Sequence, residues 1–346
     1  SGAPTITRRI MVSGADRHVV CFGCNPIDET AQDLLMVRWS DQEDAVDWTP
    51  TATNTAGSQR ISSGSEIISA QKTRQEMLIW TDTSLHAMRF TGPPFTFGIS
   101  MLANNVSILG PNAVTTVGDK VFWMDRENFY VYTGRVQVIP CTLLRYVFDD
   151  INLDQSFKCF AASNKMFDEV FWFYPTAGSD EIDRYVKFNF TENTWDLGTL
   201  SRTAWVDYGI HDNPRGSGVA DSVNYIYIHE LGQNNDGSAM TPFIESADFD
   251  LGDGDHFMFM SRLVPDISIT DTSGDSSGTV DYIVKTRNYP GDSLATNSTN
   301  SVTTTTQQAF VRARSRQAVM RIQSASTDLA WTLGDLRLDL RPDGRR

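Results

Sequence analysis

Lysine is scarce in this sequence. Six Lys stand beside 23 Arg, so nearly all the positive charge is carried by the cation that forks onto carboxylates and stacks on rings at interfaces. Cations of both kinds are outweighed, 29 Lys+Arg against 43 Asp+Glu, giving a formal net charge of −14. That balance excludes a protein that wraps nucleic acid with a basic surface. Cysteine is also rare, and four in 346 residues cannot form a disulfide framework of the small secreted type. No apolar run approaches the roughly 18–20 residues of a helical membrane span, and the opening residues carry no basic–apolar–small-residue leader pattern. Helical periodicity is almost absent: no segment of a dozen residues holds an i, i+3, i+4, i+7 apolar stripe.

What is present is a packable all-β pattern. Apolar residues make up 40% of the chain and aromatics 11%, enough to bury a core and to exclude a disordered polymer. Short β-branched and aromatic runs recur between polar or Gly/Asn/Asp turns. Examples are His18-Val19-Val20-Cys21-Phe22, Leu34-Leu35-Met36-Val37-Arg38-Trp39, Met77-Leu78-Ile79-Trp80, Lys120-Val121-Phe122-Trp123-Met124, Val170-Phe171-Trp172-Phe173-Tyr174 and Tyr225-Ile226-Tyr227-Ile228. These are strand signals. Several are apolar at successive positions, which predicts strands buried on both faces.

The strongest runs, near Val19, Leu78, Val121, Val170 and Tyr225, fall roughly 40–60 residues apart, and each is followed by a second strand across a short turn. That cadence predicts a β-propeller of kelch-like blades over residues 1–250, incomplete at its N-terminus, where Ser1-Gly2-Ala3-Pro4-Thr5 reads as a cut through a longer chain. After the turn-rich Leu251-Gly252-Asp253-Gly254-Asp255, residues 251–346 read as a small antiparallel β-domain. Strands are expected at Phe257–Ile269, Val280–Arg287 and in the strict alternation Leu336-Arg337-Leu338-Asp339-Leu340-Arg341. Thr270–Thr279 and Asp292–Thr306 are expected to be exposed Ser/Thr-rich loops.

Chemistry is thinly represented. Cys21-Phe22-Gly23-Cys24 is a lone CxxC near His18; zinc needs a second ligand pair, so buried reduced thiols are the simpler reading. Asp250, Asp253 and Asp255, and separately Asp149, Asp150 and Asp154, are acidic clusters that match no calcium loop and are better explained as turn and capping residues. Nucleophile, metalloprotease and phosphate-loop motifs are missing, so no enzyme and no cofactor is expected. The candidate functional residues are arginines: Arg312, Arg314 and Arg316, spaced by two and so expected on one strand face, with Arg345 and Arg346 at the end. Like charges on one face repel unless carboxylates meet them, from the same or a neighbouring subunit.

The stretch Val37-Arg38-Trp39-Ser40-Asp41-Gln42-Glu43 through Asp47-Trp48-Thr49-Pro50 to Gly57 resembles one common in structural tail proteins of bacteriophages. So do Ile79-Trp80-Thr81-Asp82, Thr91-Gly92-Pro93-Pro94-Phe95, Leu109-Gly110-Pro111-Asn112, Tyr146-Val147-Phe148-Asp149-Asp150-Ile151-Asn152 and the segment from Gly334 to Arg346. Together they resemble the β-propeller tail-hub, nozzle or stopper proteins of short-tailed phages. The resemblance implies a virion protein made in the bacterial cytoplasm and assembled as a homo-hexameric ring. It implies adaptor and portal proteins and tail fibres or spikes as neighbours, and genomic DNA passing through without specific binding. An acidic wall suits such a conduit, since carboxylates repel phosphate. The alternatives are a carbohydrate-binding or receptor-binding propeller of a phage tail, marked by clustered Trp/Tyr and paired carboxylates in a pocket, and a monomeric propeller scaffold.

Overall fold

The computed structural model describes residues 2–14, 16–92, 94–220, 222–252, 254–271 and 278–345. The chain is all-β and forms two compact units, Ser1–Glu230 and Leu231–Arg346.

The first unit is a succession of antiparallel meanders. Sheet one holds β1 (Arg9–Val12), β2 (Val19–Phe22), β3 (Met36–Trp39) and β4 (Gly57–Arg60). Sheet two holds β5 (Ile67–Lys72), β6 (Met77–Thr81), β7 (Ser84–Gly92) and β8 (Thr96–Asn104). Sheet three holds β9 (Val114–Val117), β10 (Lys120–Met124), β11 (Phe129–Tyr132) and β12 (Val136–Ile139). After a short helix, α1 (Leu144–Phe148), and a 3-10 turn, sheet four holds β13 (Phe160–Asn164), β14 (Glu169–Tyr174), β15 (Arg184–Asn189) and β16 (Thr194–Thr199). Sheet five has three strands among the described residues: β17 (Ala204–Val206), β18 (Arg215–Ala220) and β19 (Val223–Ile228). In every sheet, each strand pairs with the next in sequence.

The apolar runs explain this order. β6 and β14 are buried at every position, and β2 and β10 at all but the first. These second strands therefore have neighbouring sheets on both faces. One core joins sheets two, three and four, with Trp80, Trp123 and Trp172 essentially inaccessible. Trp80 meets Trp123 edge-on at 5.4 Å, and Phe129 meets Trp172 at 4.8 Å. Removing such a ring from a packed core typically costs about 3–5 kcal/mol. A second core joins sheets one and two through Phe22, Trp39, Ile79 and Phe97, and a third joins sheets four and five through Phe171, Phe173 and Trp205.

First strands neighbour first strands along the series. Arg9 of β1 donates to the Ser69 hydroxyl of β5 (3.1 Å) and to the Pro111 carbonyl ahead of β9 (2.6 Å). Gln71 of β5 donates to Thr116 of β9 at 3.0 Å. The Ala161 amide of β13 donates to Asn112 at 2.8 Å, and the Trp205 indole of β17 donates to the Ser163 carbonyl at 2.9 Å. Third and fourth strands repeat another device. Trp39 of β3 lies over Gly57 of β4, and Tyr185 of β15 over Gly198 of β16; a Cβ at either glycine would come within 2.5 Å of the ring or its hydroxyl.

The second unit packs two sheets and a two-stranded pair, distant in sequence, on one core. A two-residue pair, β20 (Asn234–Asn235) with β21 (Ser238–Ala239), precedes β22 (Phe243–Glu245). Then come β23 (Met258–Val264), β24 (Ile267–Asp271), β25 (Val280–Arg287), β26 (Ala295–Val302), β27 (Ala309–Ser315), β28 (Gln317–Gln323), β29 (Leu329–Leu333) and β30 (Arg337–Pro342). One sheet runs β22-β28-β25-β26, the other β27-β23-β30, and β24 pairs with β29. Met260, Leu263, Val311 and Ala313 from one sheet share a core with Tyr282, Val284, Met320 and Ile322 from the other.

The units divide at residue 230 rather than 250. Residues 243–245 pair with β28, and Phe249 bridges Ala318, so the segment before Asp250 belongs to the second unit. The expected strand Phe257–Ile269 is two strands, parted at Pro265-Asp266. The expected loop Asp292–Thr306 contains β26, an eight-residue edge strand on which Thr296, Asn297, Thr299 and Ser301 face water while Val302 turns inward. Of the other expected loop, Thr270–Thr279, residues 272–277 lie outside the described residues.

Candidate interaction surface

The arginines singled out by spacing lie on the outer face of the β27-β23-β30 sheet. Along β27 burial alternates strictly: Ala309, Val311, Ala313 and Ser315 point inward, while Phe310, Arg312 and Arg314 point out. Arg316 does not extend this row. It follows the last residue of β27, where the chain turns into β28 of the other sheet, and its guanidinium donates to the Gly254 and Asp255 carbonyls (3.1 and 3.3 Å) and to the Arg345 carbonyl (3.1 Å). Arg345 in turn donates to His256 at 3.4 Å. Arg346 lies outside the described residues.

Pairing brings in residues that spacing along one strand could not connect. Arg314 stands opposite Phe259 of β23, and Phe259 stands opposite Arg341 of β30. Arg341 stacks over Phe259 at 4.8 Å, and Arg314 over Phe257 at 4.1 Å. Two carboxylates answer this face: Asp343 accepts from Arg314 at 2.6 Å, and Asp339 from Arg262 at 2.7 Å. Arg312, Arg337 and Arg341 are exposed and meet no carboxylate among the described residues. Phe310 is 69% exposed beside them. The alternation of Leu336 to Arg341 was the visible signal for Arg337 and Arg341; their approach to β27 through β23 is a property of sheet order.

Among the described residues no catalytic arrangement accompanies this face. The four thiols are free, and burial pushes Cys24 and Cys159 up to about 12 and Cys141 to about 11, which favours the neutral thiol over a thiolate nucleophile. Among the described residues no group of three or more His, Cys, Asp and Glu could hold a metal ion. Asp253 of the first acidic cluster lies outside the described residues; Asp149 of the second closes α1, and Asp154 opens the 3-10 turn. A carboxylate pair does occur in the first unit, but each member is engaged. Glu169 holds Lys187 at 2.8 Å, and Glu230, its carboxyl raised by burial and then by the Glu169 charge, accepts from Asn164 at 3.0 Å. A cleft of about 550 Å³ between β8 and β11–β12 is lined by Leu102, Val106, Tyr130, Tyr132 and Val136, with Arg135 its charged residue and no carboxylate.

Neither a family model nor a curated protein sequence matches the chain. A solved structure described as a glycoside hydrolase is similar to it at 11% identity and a TM-score of 0.29, over 94% of this chain and 96% of that one.

Proposed function

We propose that this chain is a structural virion protein: a subunit of a tail-hub or nozzle ring of a short-tailed phage, built on a β-propeller. Such a ring closes and then conducts the DNA channel and anchors neighbouring tail parts. The observation that carries the reading is the run of phage-tail-like motifs from Val37 to Gly57 and beyond, together with where they sit. The first is a self-braced loop between β3 and β4: the Asp41 carboxylate accepts from the Thr55 amide and hydroxyl at 2.7 and 2.6 Å, and Asn54 bridges Asp47 and the Thr49 carbonyl. Ile79-Trp80-Thr81-Asp82 ends β6, with Asp82 accepting from Ser65 at 2.7 Å. These motifs build blades, as a mechanical protein requires.

Four four-stranded meanders in succession, with first strands adjacent, support the propeller. Charge supports the conduit: residues 1–230 carry 28 Asp+Glu against 18 Lys+Arg, a unit that phosphate slides past rather than grips. The carbohydrate-binding alternative finds less support, because Trp39, Trp48, Trp80, Trp123 and Trp172 are spent in the core and no carboxylate lines the apolar cleft. Image classes of the isolated assembly test the proposal: six-fold rings are expected, and a stable monomer at micromolar concentration would refute it.

A further inference from the structure

We infer that the outer face of the β27-β23-β30 sheet is a docking surface for the acidic first unit of another copy of this chain. The inference rests on the ring reading for its partner and deepens it by naming which surfaces meet.

Three guanidiniums, Arg312, Arg337 and Arg341, lie on one sheet face without a carboxylate among the described residues, next to an exposed Phe310. The face carries five Arg (Arg262, Arg312, Arg314, Arg337 and Arg341) against two carboxylates, Asp339 and Asp343, an excess of cations that makes sense where an anionic partner is supplied. The cations of this face are all Arg, in strands that contain no Lys. Arg and aromatics are the residues enriched at protein interfaces, where Lys is depleted. The rings also preset the guanidinium planes: Arg341 is laid on Phe259 and Arg314 on Phe257, which reduces the ordering cost of a forked contact. The complementary charge exists in the same sequence, since the first unit carries an excess of ten carboxylates. That excess also disfavours a polyphosphate occupant, because nucleic acid would meet a repelling molecule around one basic face.

The experiment uses the full chain with p-benzoylphenylalanine placed at Phe310, mixed as isotope-labelled and unlabelled copies and irradiated after assembly. Cross-links between isotopically different chains, joining position 310 to peptides of residues 1–230, are the expected result. Arg312→Glu with Arg341→Glu, both at exposed positions, is expected to remove those cross-links and to weaken association by about tenfold or more, with far-UV dichroism unchanged. Arg312→Gln with Arg341→Gln gives the milder version should the reversal perturb folding. Assembly that persists with cross-links confined to residues 231–346, or with none, overturns this surface and leaves the ring standing. Cross-links as expected in an assembly without six-fold symmetry retain the surface and overturn the ring. Retention of short duplex DNA by the Phe310 probe at physiological salt, in place of the second copy, overturns the inference. A chain that stays monomeric at tens of micromolar overturns both.

Discussion

At the scale of single residues, buried polar groups act as joints between sheets. Glu76, whose side chain is 7% exposed, accepts from Arg89 at 2.5 Å and from the Tyr132 hydroxyl, tying the β5–β6 turn to β7 and to β11 of the next sheet. Glu76→Ala strands the hydroxyl of the buried Tyr132, and a loss of about 1–3 kcal/mol is expected in urea unfolding; an unchanged midpoint would show the joint to be idle. Three imidazoles make a pH-dependent set. Burial lowers His18 and His86 below the usual 6.5, and burial with the adjacent Arg202 takes His229 to about 4. Folded chains therefore hold them neutral, and the unfolded chain takes up protons first as pH falls through 6.5. Their contribution is full above that value and is lost between 6.5 and about 4, so the urea midpoint should be lower near pH 5 than near pH 7.5. A midpoint that is flat or rises on acidification contradicts this. These joints were invisible in the sequence: Glu76, Arg89 and Tyr132 look like scattered surface residues until three strands are aligned. The Arg face was half legible, because alternation fixes which side of β27 and β30 is wet but not that β23 lies between them.

At the scale of elements, the glycine beneath an aromatic ring is the recurring device. Trp39 over Gly57 and Tyr185 over Gly198 pair the third strand with the fourth in sheets one and four, the first at the end next to the connecting loop and the second at the far end. The ring covers the backbone that a missing side chain would otherwise leave bare. Gly57→Ala and Gly198→Ala drive a methyl into the ring, and overpacking of about 1–3 kcal/mol is expected for each in denaturant titration. Trp39→Leu in the Gly57→Ala background should cost less than the sum of the two single changes, since the clash is then gone; strict additivity would mean that the rings do not touch. Strands with two buried faces were the most legible elements, because continuous apolar runs such as Val121 to Met124 have no other economical use. β4, Gly-Ser-Gln-Arg, was not legible, and neither was β26. Both are outer strands held by backbone pairing; β4 is largely exposed and β26 turns only Val302 into the core, so neither carries a core pattern.

At the scale of the whole molecule, charge and partition carry the predictions. Limited proteolysis should cut first around residues 231–233, between the two compact units, where Leu231 is 66% exposed; first cuts inside β6, β10 or β14 would contradict the partition. Linear duplex DNA should not be retarded by the protein at about 0.15 M salt, where the acidic excess is screened only beyond ~8 Å. Retardation would argue that the protein grips DNA. Sheet five has a further consequence. Its edge strand β19 shows Val223, Tyr225, Ile226 and Ile228 to solvent at 47–73% exposure, on both faces, with neither a charge nor a proline in its six residues. That is the composition of a segment prone to stack with copies of itself. A freshly made chain with this edge open meets other copies of itself before anything else, so crowding and the rate of synthesis bear on its yield, and precipitation should rise steeply with concentration.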